Sequence, residues 1–363
     1  MMNKRNTEHV PEDLVVEILS RVPTKSLARF RSTSKAWNAL IKDGRFSKKY
    51  SANAPRPRQS LVIMLVDFRV YLVSLDLCEI EDNKVALTRQ FNLEDPRSEF
   101  SKEVDICNLF HCDGLLLCTT KDKRLVVWNP VSGETKWIQQ PKKSYKESDL
   151  FALGYDTKSS CYKIIRMDQF ARRGAVDQTE HEIYDFTSNS WSVVGVCTNW
   201  FYIPRDWSRG VSLKGNTYWL AYDRWGTSVS LIIFDFSIER FQAHSLPHSL
   251  RYSGWALSVV REDRLCVLDV YSLDVWMSCK IESTGVMSWS KILTAKANYK
   301  FCLWMSFVAD EQHKVLVGYN NNILHIVAED RYMQVNDIGH GDKSYGAFVQ
   351  IYVPTLVQIQ QGI

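Results

Sequence analysis

The sequence contains no long hydrophobic run and no hydrophobic segment at its N-terminus. Its longest apolar stretch is residues 61–66, whereas a helix that spans a bilayer needs about 20 apolar residues. The first ten residues, MMNKRNTEHV, also lack the apolar core of a secretion signal. The sequence therefore predicts a soluble intracellular protein that has no membrane partner.

The sequence contains no Cys-x-x-Cys pair and no Asn-x-Ser/Thr glycosylation site. Its nine cysteines are an odd number, and the group Cys107, Cys112 and Cys118 has spacings that match no common zinc site. Most of the cysteines lie in apolar, strand-like runs, where buried free thiols are expected. This usage predicts a reducing compartment, the cytoplasm or the nucleus, and no metal ion.

Motifs of common enzyme classes are also missing. There is no HExxH, GxSxG or GxGxxG, the motifs of metalloproteases, α/β-hydrolases and dinucleotide-binding enzymes. We therefore expect a protein that has no catalytic residues and binds no cofactor.

Charge is distributed unevenly along the 363 residues. Residues 1–50 contain eleven Lys or Arg and five Asp or Glu, a net charge of +6, and the whole chain carries +4, which leaves −2 for the remainder. A basic N-terminal region suits an acidic partner, which could be nucleic acid or an acidic protein. A solvated helical surface would account for the same charge.

The N-terminal 50 residues are predicted to form three short helices. Pro11 suits the first turn of a helix, and Leu14, Ile18 and their neighbours form an apolar face. Val22-Pro23 ends this helix, because proline disfavours the helical conformation in the residue before it. A segment this small cannot bury all of its apolar side chains, so docking to a partner is expected.

Residues 10–46, VPEDLVVEILSRVPTKSLARFRSTSKAWNALIKDGRF, resemble the F-box in an ordered and nearly gap-free way. The resemblance implies docking to a Skp-type adaptor, which connects the F-box to a cullin scaffold. Thr33 replaces a common valine, and we expect its hydroxyl to lie half-buried and to weaken docking. The residues predicted to contact the adaptor are Val10, Pro11, Leu14, Ile18, Leu19, Val22, Pro23 and Leu27.

From residue 61 onward, short runs of β-branched and aromatic residues alternate with turn residues. A strand–turn–strand pattern recurs at 125–138, 182–194, 231–241 and 275–293. An aromatic residue precedes Asn or Asp in the first three copies, and another aromatic lies in each return strand. Asn and Asp close tight turns, and the aromatic pairs are expected to pack between neighbouring sheets.

The spacing of roughly 45–55 residues is typical of kelch-like propeller blades. These segments also resemble the F-box-associated domain of a large plant family, for example in CDGLLLC, GVSLKGNTYWLA and YVPTLVQI. We predict a mainly β chain with about six blades, closed by a C-terminal strand that pairs near residues 61–66. An open pair of β-sandwiches is the alternative. The predicted regions are 1–50 (F-box), 51–60 (linker), 61–354 (recognition domain) and 355–363 (tail).

Three aromatic and basic segments, at 199–209, 222–225 and 252–255, lie between the repeats. Loops on a rigid scaffold often bind partners, and Trp, Tyr and Arg dominate interface hot spots. We expect the three segments to converge on one face, although buried packing would explain their aromatic residues equally well. The predicted substrate-binding residues are Trp200, Tyr202, Arg205, Trp207, Arg209, Arg224, Trp225 and Trp255.

The resemblance implies that the chain is the substrate-recognition subunit of an SCF-type ubiquitin ligase. Its partners would be the adaptor, the cullin and a protein substrate that the sequence does not identify. One alternative is a propeller that binds a ligand or a sugar, with the F-box as a regulatory addition. Another is an RNA-binding propeller with a basic arm, but the weakly acidic body argues against nucleic acid.

Overall fold

A computed structural model describes the helical N-terminal region, here called the head, and a β domain. The described residues are 10–22, 24–42, 46, 49, 60–76, 85–96, 103–140, 146, 149–167, 178–198, 201–203, 209–223, 225–247, 254–260, 263–279, 287–295, 306–320, 323–329, 331–335, 348–355 and 357–359. No helix among these residues is long and apolar enough to span a bilayer.

The three predicted helices are present. They are α1 (Glu12–Leu19), α2 (Thr24–Thr33) and α3 (Lys35–Lys42). Pro11 is the N-cap of α1, and its carbonyl accepts a hydrogen bond from the Val15 amide at 3.1 Å. Ser34 directly precedes α3, and its carbonyl accepts a hydrogen bond from the Asn38 amide at 2.9 Å. Two acidic residues in the first turn of α1 complement its dipole.

The β domain is a six-bladed propeller, so the prediction of about six blades is confirmed. Each blade is an antiparallel sheet, and the innermost strand of blade 4 is divided in two. From the innermost to the outermost strand, blade 1 contains β25 (Phe348–Ile351), β1 (Ser60–Val66), β2 (Arg69–Leu75) and β3 (Val85–Phe91), and blade 2 contains β4 (Ile106–Cys112), β5 (Leu115–Thr120), β6 (Leu125–Trp128) and β7 (Thr135–Ile138). In the same order, blade 3 contains β8 (Leu150–Asp156), β9 (Cys161–Met167), β10 (Gln178–Asp185) and β11 (Ser190–Thr198), and blade 4 contains the divided strand β12 (Phe201–Tyr202) and β13 (Val211–Leu213), then β14 (Asn216–Asp223), β15 (Val229–Asp235) and β16 (Arg240–His244). Blade 5 contains β17 (Trp255–Val260), β18 (Arg264–Asp269), β19 (Asp274–Ser278) and β20 (Trp289–Thr294), and blade 6 contains β21 (Ser306–Asp310), β22 (Val315–Asn320), β23 (Ile323–Ala328) and β24 (Tyr332–Val335).

The C-terminal strand closes the ring as predicted. β25 pairs antiparallel with β1, with Val62 opposite Ile351 and Leu65 opposite Phe348. This pairing gives blade 1 its innermost strand from the end of the chain. Closure matters because an isolated blade cannot cover its own apolar faces.

The repeated sequence pattern corresponds to the outer hairpin of blades 2 to 5. In blade 3, Tyr184 lies opposite Trp191 with ring centroids 5.4 Å apart. In blade 4, Phe234 lies opposite Phe241 at 4.7 Å. These rings belong to one apolar core shared by blades 2, 3 and 4, which confirms that the aromatic pairs pack between sheets.

The segment after β25 runs across blade 2. The Asn129 side-chain amide donates to the carbonyl oxygens of Thr355, at 3.2 Å, and Val357, at 2.9 Å. Ile359 is only 2% exposed and lies in the core of blades 2 to 4. Val357 and Ile359, in the segment predicted as a tail after residue 354, are therefore packed into the propeller, because their side chains lie in or against that core.

Strand direction defines two faces of the propeller. The upper face holds the starts of the innermost strands and the turns between the second and third strands of each blade. Here the Ile106 amide donates to the Phe68 carbonyl at 3.2 Å. The lower face holds the other two turns of each blade, and here the Thr157 and Ser237 hydroxyls are 2.9 Å apart.

Candidate partner-binding surfaces

Three large apolar side chains, two in α1 and one just before it, are exposed to solvent. Val10 is 49% exposed, Leu14 is 50% exposed and Ile18 is 60% exposed. Leu14 and Ile18 are four residues apart within α1, the spacing that places side chains one above another on a helix, and Val10 precedes the N-cap Pro11. We call these three residues the apolar row. Pro11, at the start of the row, is also exposed.

The opposite side of α1 packs inside the head. The head core consists of the buried side chains Leu19, Leu27, Ile41 and Phe46. Leu19 is 3% exposed and Leu27 is 0% exposed, so the prediction that these two side chains contact an adaptor is wrong. They are instead the packing that supports the apolar row. Val22 packs against this core, and Pro23 lies outside the described residues.

Thr33 differs from its predicted environment. Its side chain is exposed, and its hydroxyl donates to the Phe30 carbonyl at 2.8 Å. The hydroxyl is neither buried nor without a partner, because it lies at the end of α2. The expected loss of docking strength from burying this group therefore has no structural basis.

Ion pairs at Glu17 connect α1 to the end of the head. The Glu17 carboxylate lies 2.5 Å from the Arg21 guanidinium and 2.7 Å from the Lys49 ammonium. The hydrogen bond from Lys49 and the positive charge of Arg21 lower the pKa of Glu17. The carboxylate is thus charged at neutral pH and helps to hold the orientation of α1.

The predicted substrate-binding residues are found in three different situations. Tyr202 is 36% exposed and Trp225 is 72% exposed, both at the upper face of blade 4. Arg209 is half-buried, and burial lowers the pKa of its guanidinium to about 10. Trp255 is only 2% exposed, so the prediction that it contacts a substrate is wrong.

The burial of Trp255 has a simple cause. It begins β17, and its ring enters the apolar core between blades 4 and 5. The remaining predicted residues of this group lie outside the described part of the chain: Trp200, Arg205, Trp207 and Arg224.

The turn that carries Trp225 is held by one carboxylate. Asp223 accepts hydrogen bonds from the Thr227 amide at 2.7 Å, the Thr227 hydroxyl at 2.5 Å and the Ser228 hydroxyl at 2.9 Å. Burial raises the pKa of Asp223, but these hydrogen bonds outweigh it and lower the pKa to about 2. A charged carboxylate therefore fixes the turn on which the exposed indole stands.

Blade 5 presents Tyr271 in a similar way. Asp269 accepts from the amides of Tyr271, at 2.9 Å, and Ser272, at 3.3 Å. The Val270 amide donates to the Gly254 carbonyl at 2.9 Å, which ties the turn to the start of β17. Tyr271 is 64% exposed, and the sequence analysis did not identify it.

A signal for Tyr271 was present in the sequence. Asp269 precedes Tyr271 by two residues, as Asp223 precedes Trp225. We call Tyr202, Trp225 and Tyr271 the exposed aromatic set. All three lie at the upper face of the adjacent blades 4 and 5.

The upper face of blades 1 and 2 has a different chemistry. The Arg69 guanidinium lies 2.8 Å from Asp105 and 3.1 Å from Glu103. The Arg124 guanidinium lies 2.6 Å from Asp95 and 4.3 Å from the centroid of the Trp137 ring. These side chains already have partners within the propeller, so this part of the face offers less to another protein.

The described residues contain free thiols but no cluster suited to a metal ion. Cysteines 107, 112, 118, 161, 266 and 279 are free thiols. Within the same described part of the chain, no group of three or more His, Cys, Asp or Glu side chains could hold a metal ion. Burial raises the pKa of the Cys112 thiol, which keeps it protonated and poorly nucleophilic.

Two family models match the chain. Residues 8–49 match the F-box domain, and residues 61–359 match the F-box associated beta propeller domain. Two putative F-box proteins of Arabidopsis thaliana are 53% and 51% identical to the chain, covering 99% and 100% of it and 100% of each relative. An F-box/kelch-repeat protein of the same plant is 38% identical, covering 96% of this chain and 98% of its own length.

Proposed function

The chain belongs to the family of F-box proteins with an F-box associated beta propeller domain, and we propose that it recruits substrates to an SCF-type ubiquitin ligase. The apolar row carries the proposal, since three exposed apolar side chains in and just before one short helix are costly without a partner. The partner is a Skp-type adaptor, which suits the +6 charge of residues 1–50 because such adaptors are acidic. A cullin scaffold then joins through the adaptor.

The chain itself performs no chemistry in this proposal. It holds a target protein close to the ubiquitin-transfer machinery, which raises the effective concentration of the target. The exposed aromatic set is the proposed target-binding surface. Its support is the exposure of Trp225 and Tyr271 on turns that are already ordered, since rigid aromatic side chains bind with a small entropy cost.

Adaptor binding is tested with the purified full-length chain and the Skp-type adaptor by calorimetry. Leu14→Asp or Ile18→Asp should weaken binding by about 2–4 kcal/mol, roughly 30-fold or more, because each places a charge within the apolar row. Leu87→Asp is the matched control. Leu87 is 56% exposed on the outermost strand of blade 1, so its replacement should leave adaptor affinity unchanged.

Equal affinity of Leu14→Asp and Leu87→Asp for the adaptor would refute the proposal.

Target binding is tested separately by proximity labelling in plant cells. Proteins that are labelled by the wild type and by Leu14→Asp, but lost with Trp225→Ala and Tyr271→Ala, are the expected targets. Val193→Ala, on the outer strand of blade 3, is the control. If the aromatic variants keep every labelled protein, the exposed aromatic set is not the target-binding surface.

A further inference from the structure

One propeller residue, Val131, packs against two cores at once. It contacts the head core and also the core shared by blades 1 and 2. Val131 lies in the turn between β6 and β7 of blade 2, at residues 129–134. We propose that the head rests on this turn, and that Val131 fixes the orientation of the apolar row relative to the propeller.

Hydrogen bonds within the turn at residues 129–134 restrict its conformation. The Asn129 side-chain oxygen accepts from the amides of Val131, at 3.0 Å, and Ser132, at 3.2 Å. The Gly133 amide donates to the Asn129 carbonyl at 2.8 Å, and Gly133 takes a φ of 75°, which glycine adopts without strain. Pro130 is buried beneath the turn. These contacts restrict the backbone that carries Val131.

The equivalent turns of blades 3 and 4 show what is particular to blade 2. In those turns Asp185 and Asp235 accept from the backbone two residues later, as Asn129 does. The residue at that second position is Thr187 in blade 3 and Ser237 in blade 4. Both are polar, and Thr187 is exposed. Of these three turns, the one that contacts the head core carries the apolar residue.

The same turn carries an amide where the other two carry a carboxylate. A carboxylate accepts hydrogen bonds only, whereas an amide also donates. Asn129 uses its donors on the carbonyl oxygens of Thr355 and Val357. The turn that contacts the head is thereby tied to the C-terminal segment, which includes the buried Ile359.

The position of the head on this turn has a geometric consequence for the recruitment of a target protein. The turn at residues 129–134 belongs to the lower face, and the exposed aromatic set belongs to the upper face. A head fixed on this turn therefore holds the apolar row and the proposed target surface at opposite faces of one rigid body. The meaning of this arrangement for ubiquitin transfer rests on the proposed function, but the packing contact does not.

The test compares Val131→Asp with Thr187→Asp in the full-length chain, by amide hydrogen exchange and small-angle X-ray scattering. With Val131→Asp, amides of α1 and α2 should exchange about tenfold faster, equivalent to about 1.4 kcal/mol. The maximum dimension of the particle should also increase. Thr187→Asp places the same charge at the equivalent turn position and should change neither. Val131→Ser, which copies the residue of blade 4, should give a smaller change of the same kind.

Two results would overturn the proposal. One is equal exchange in the head for the wild type and both Val131 variants. The other is equal acceleration by Val131→Asp and Thr187→Asp. Exchange in the propeller strands shows in each case whether the domain is folded. The measurement uses no adaptor, so its outcome is separate from that of the calorimetry with Leu14→Asp.

Discussion

The head and the upper turns of blades 4 and 5 both expose large apolar side chains, but they support them differently. Leu14 is 50% exposed on a helix whose inner side rests on the head core of four buried side chains. Trp225 is 72% exposed on a turn that is held by hydrogen bonds to Asp223. The head surface thus depends on apolar packing within a small unit, whereas the blade surface depends on local polar contacts above a large core.

The strongest test of this contrast is Leu27→Ala in the head core. Leu27 is 0% exposed, and removing a buried leucine side chain costs about 3–5 kcal/mol. Hydrogen exchange in α1, α2 and α3 should therefore rise sharply, and adaptor binding should fall with it. The propeller strands should keep their exchange rates, because the head core contains no propeller strand.

Leu14→Ala is the matched variant for this experiment. It removes the same atoms from an exposed position, so the stability of the head should change by no more than about 0.5 kcal/mol. Adaptor affinity alone should fall. If the two variants destabilised the head equally, the division between a supporting core and a binding row would be wrong.

A second test concerns the turn on which the head rests. Asn129→Asp replaces two donated hydrogen bonds by a carboxylate that faces the carbonyl oxygens of Thr355 and Val357. We expect a loss of about 2–3 kcal/mol and a fall in Tm of roughly 4–12 °C by calorimetry. Asp235→Asn in blade 4 is the control, because its side-chain oxygen still accepts from the Ser237 amide. A shift of the same size for both variants would show that the C-terminal segment does not depend on the amide.

Asp223→Ala should have a smaller and more local effect. It removes the carboxylate that accepts from Thr227 and Ser228, at a cost of about 1 kcal/mol. The Thr227 amide should exchange roughly fivefold faster, and target labelling should fall as it does with Trp225→Ala. Ser228→Ala removes one of these hydrogen bonds and should lie between the wild type and Asp223→Ala. Unchanged target labelling with Asp223→Ala would show that target binding does not depend on the order of the Trp225 turn.

The sequence predicted the elements that repeat or follow a motif, and it missed those set by distant contacts. The three helices, the six blades and the closing strand each have a local pattern, as does the exposure of Leu14 and Ile18. The burial of Leu27 and Trp255 depends on which neighbours cover each side chain, and hydrophobicity alone does not encode that. The contact of Val131 with the head joins residues far apart in the chain, so no local pattern contains it.

The smallest predicted effect concerns the pH dependence of the Trp225 turn. The pKa of Asp223 is about 2 in the folded protein, below the ordinary value of about 3.9 for an unfolded chain. Its contribution to stability is therefore complete above pH 4 and is lost as the pH falls from about 4 towards 2. Carbon-13 NMR of the Asp223 carboxyl should show a midpoint near pH 2 if the propeller remains folded there. Thr227→Val removes the hydroxyl that donates to this carboxylate, so the midpoint should move upward. A midpoint that does not move would mean that the hydroxyl contributes little to the order of this turn.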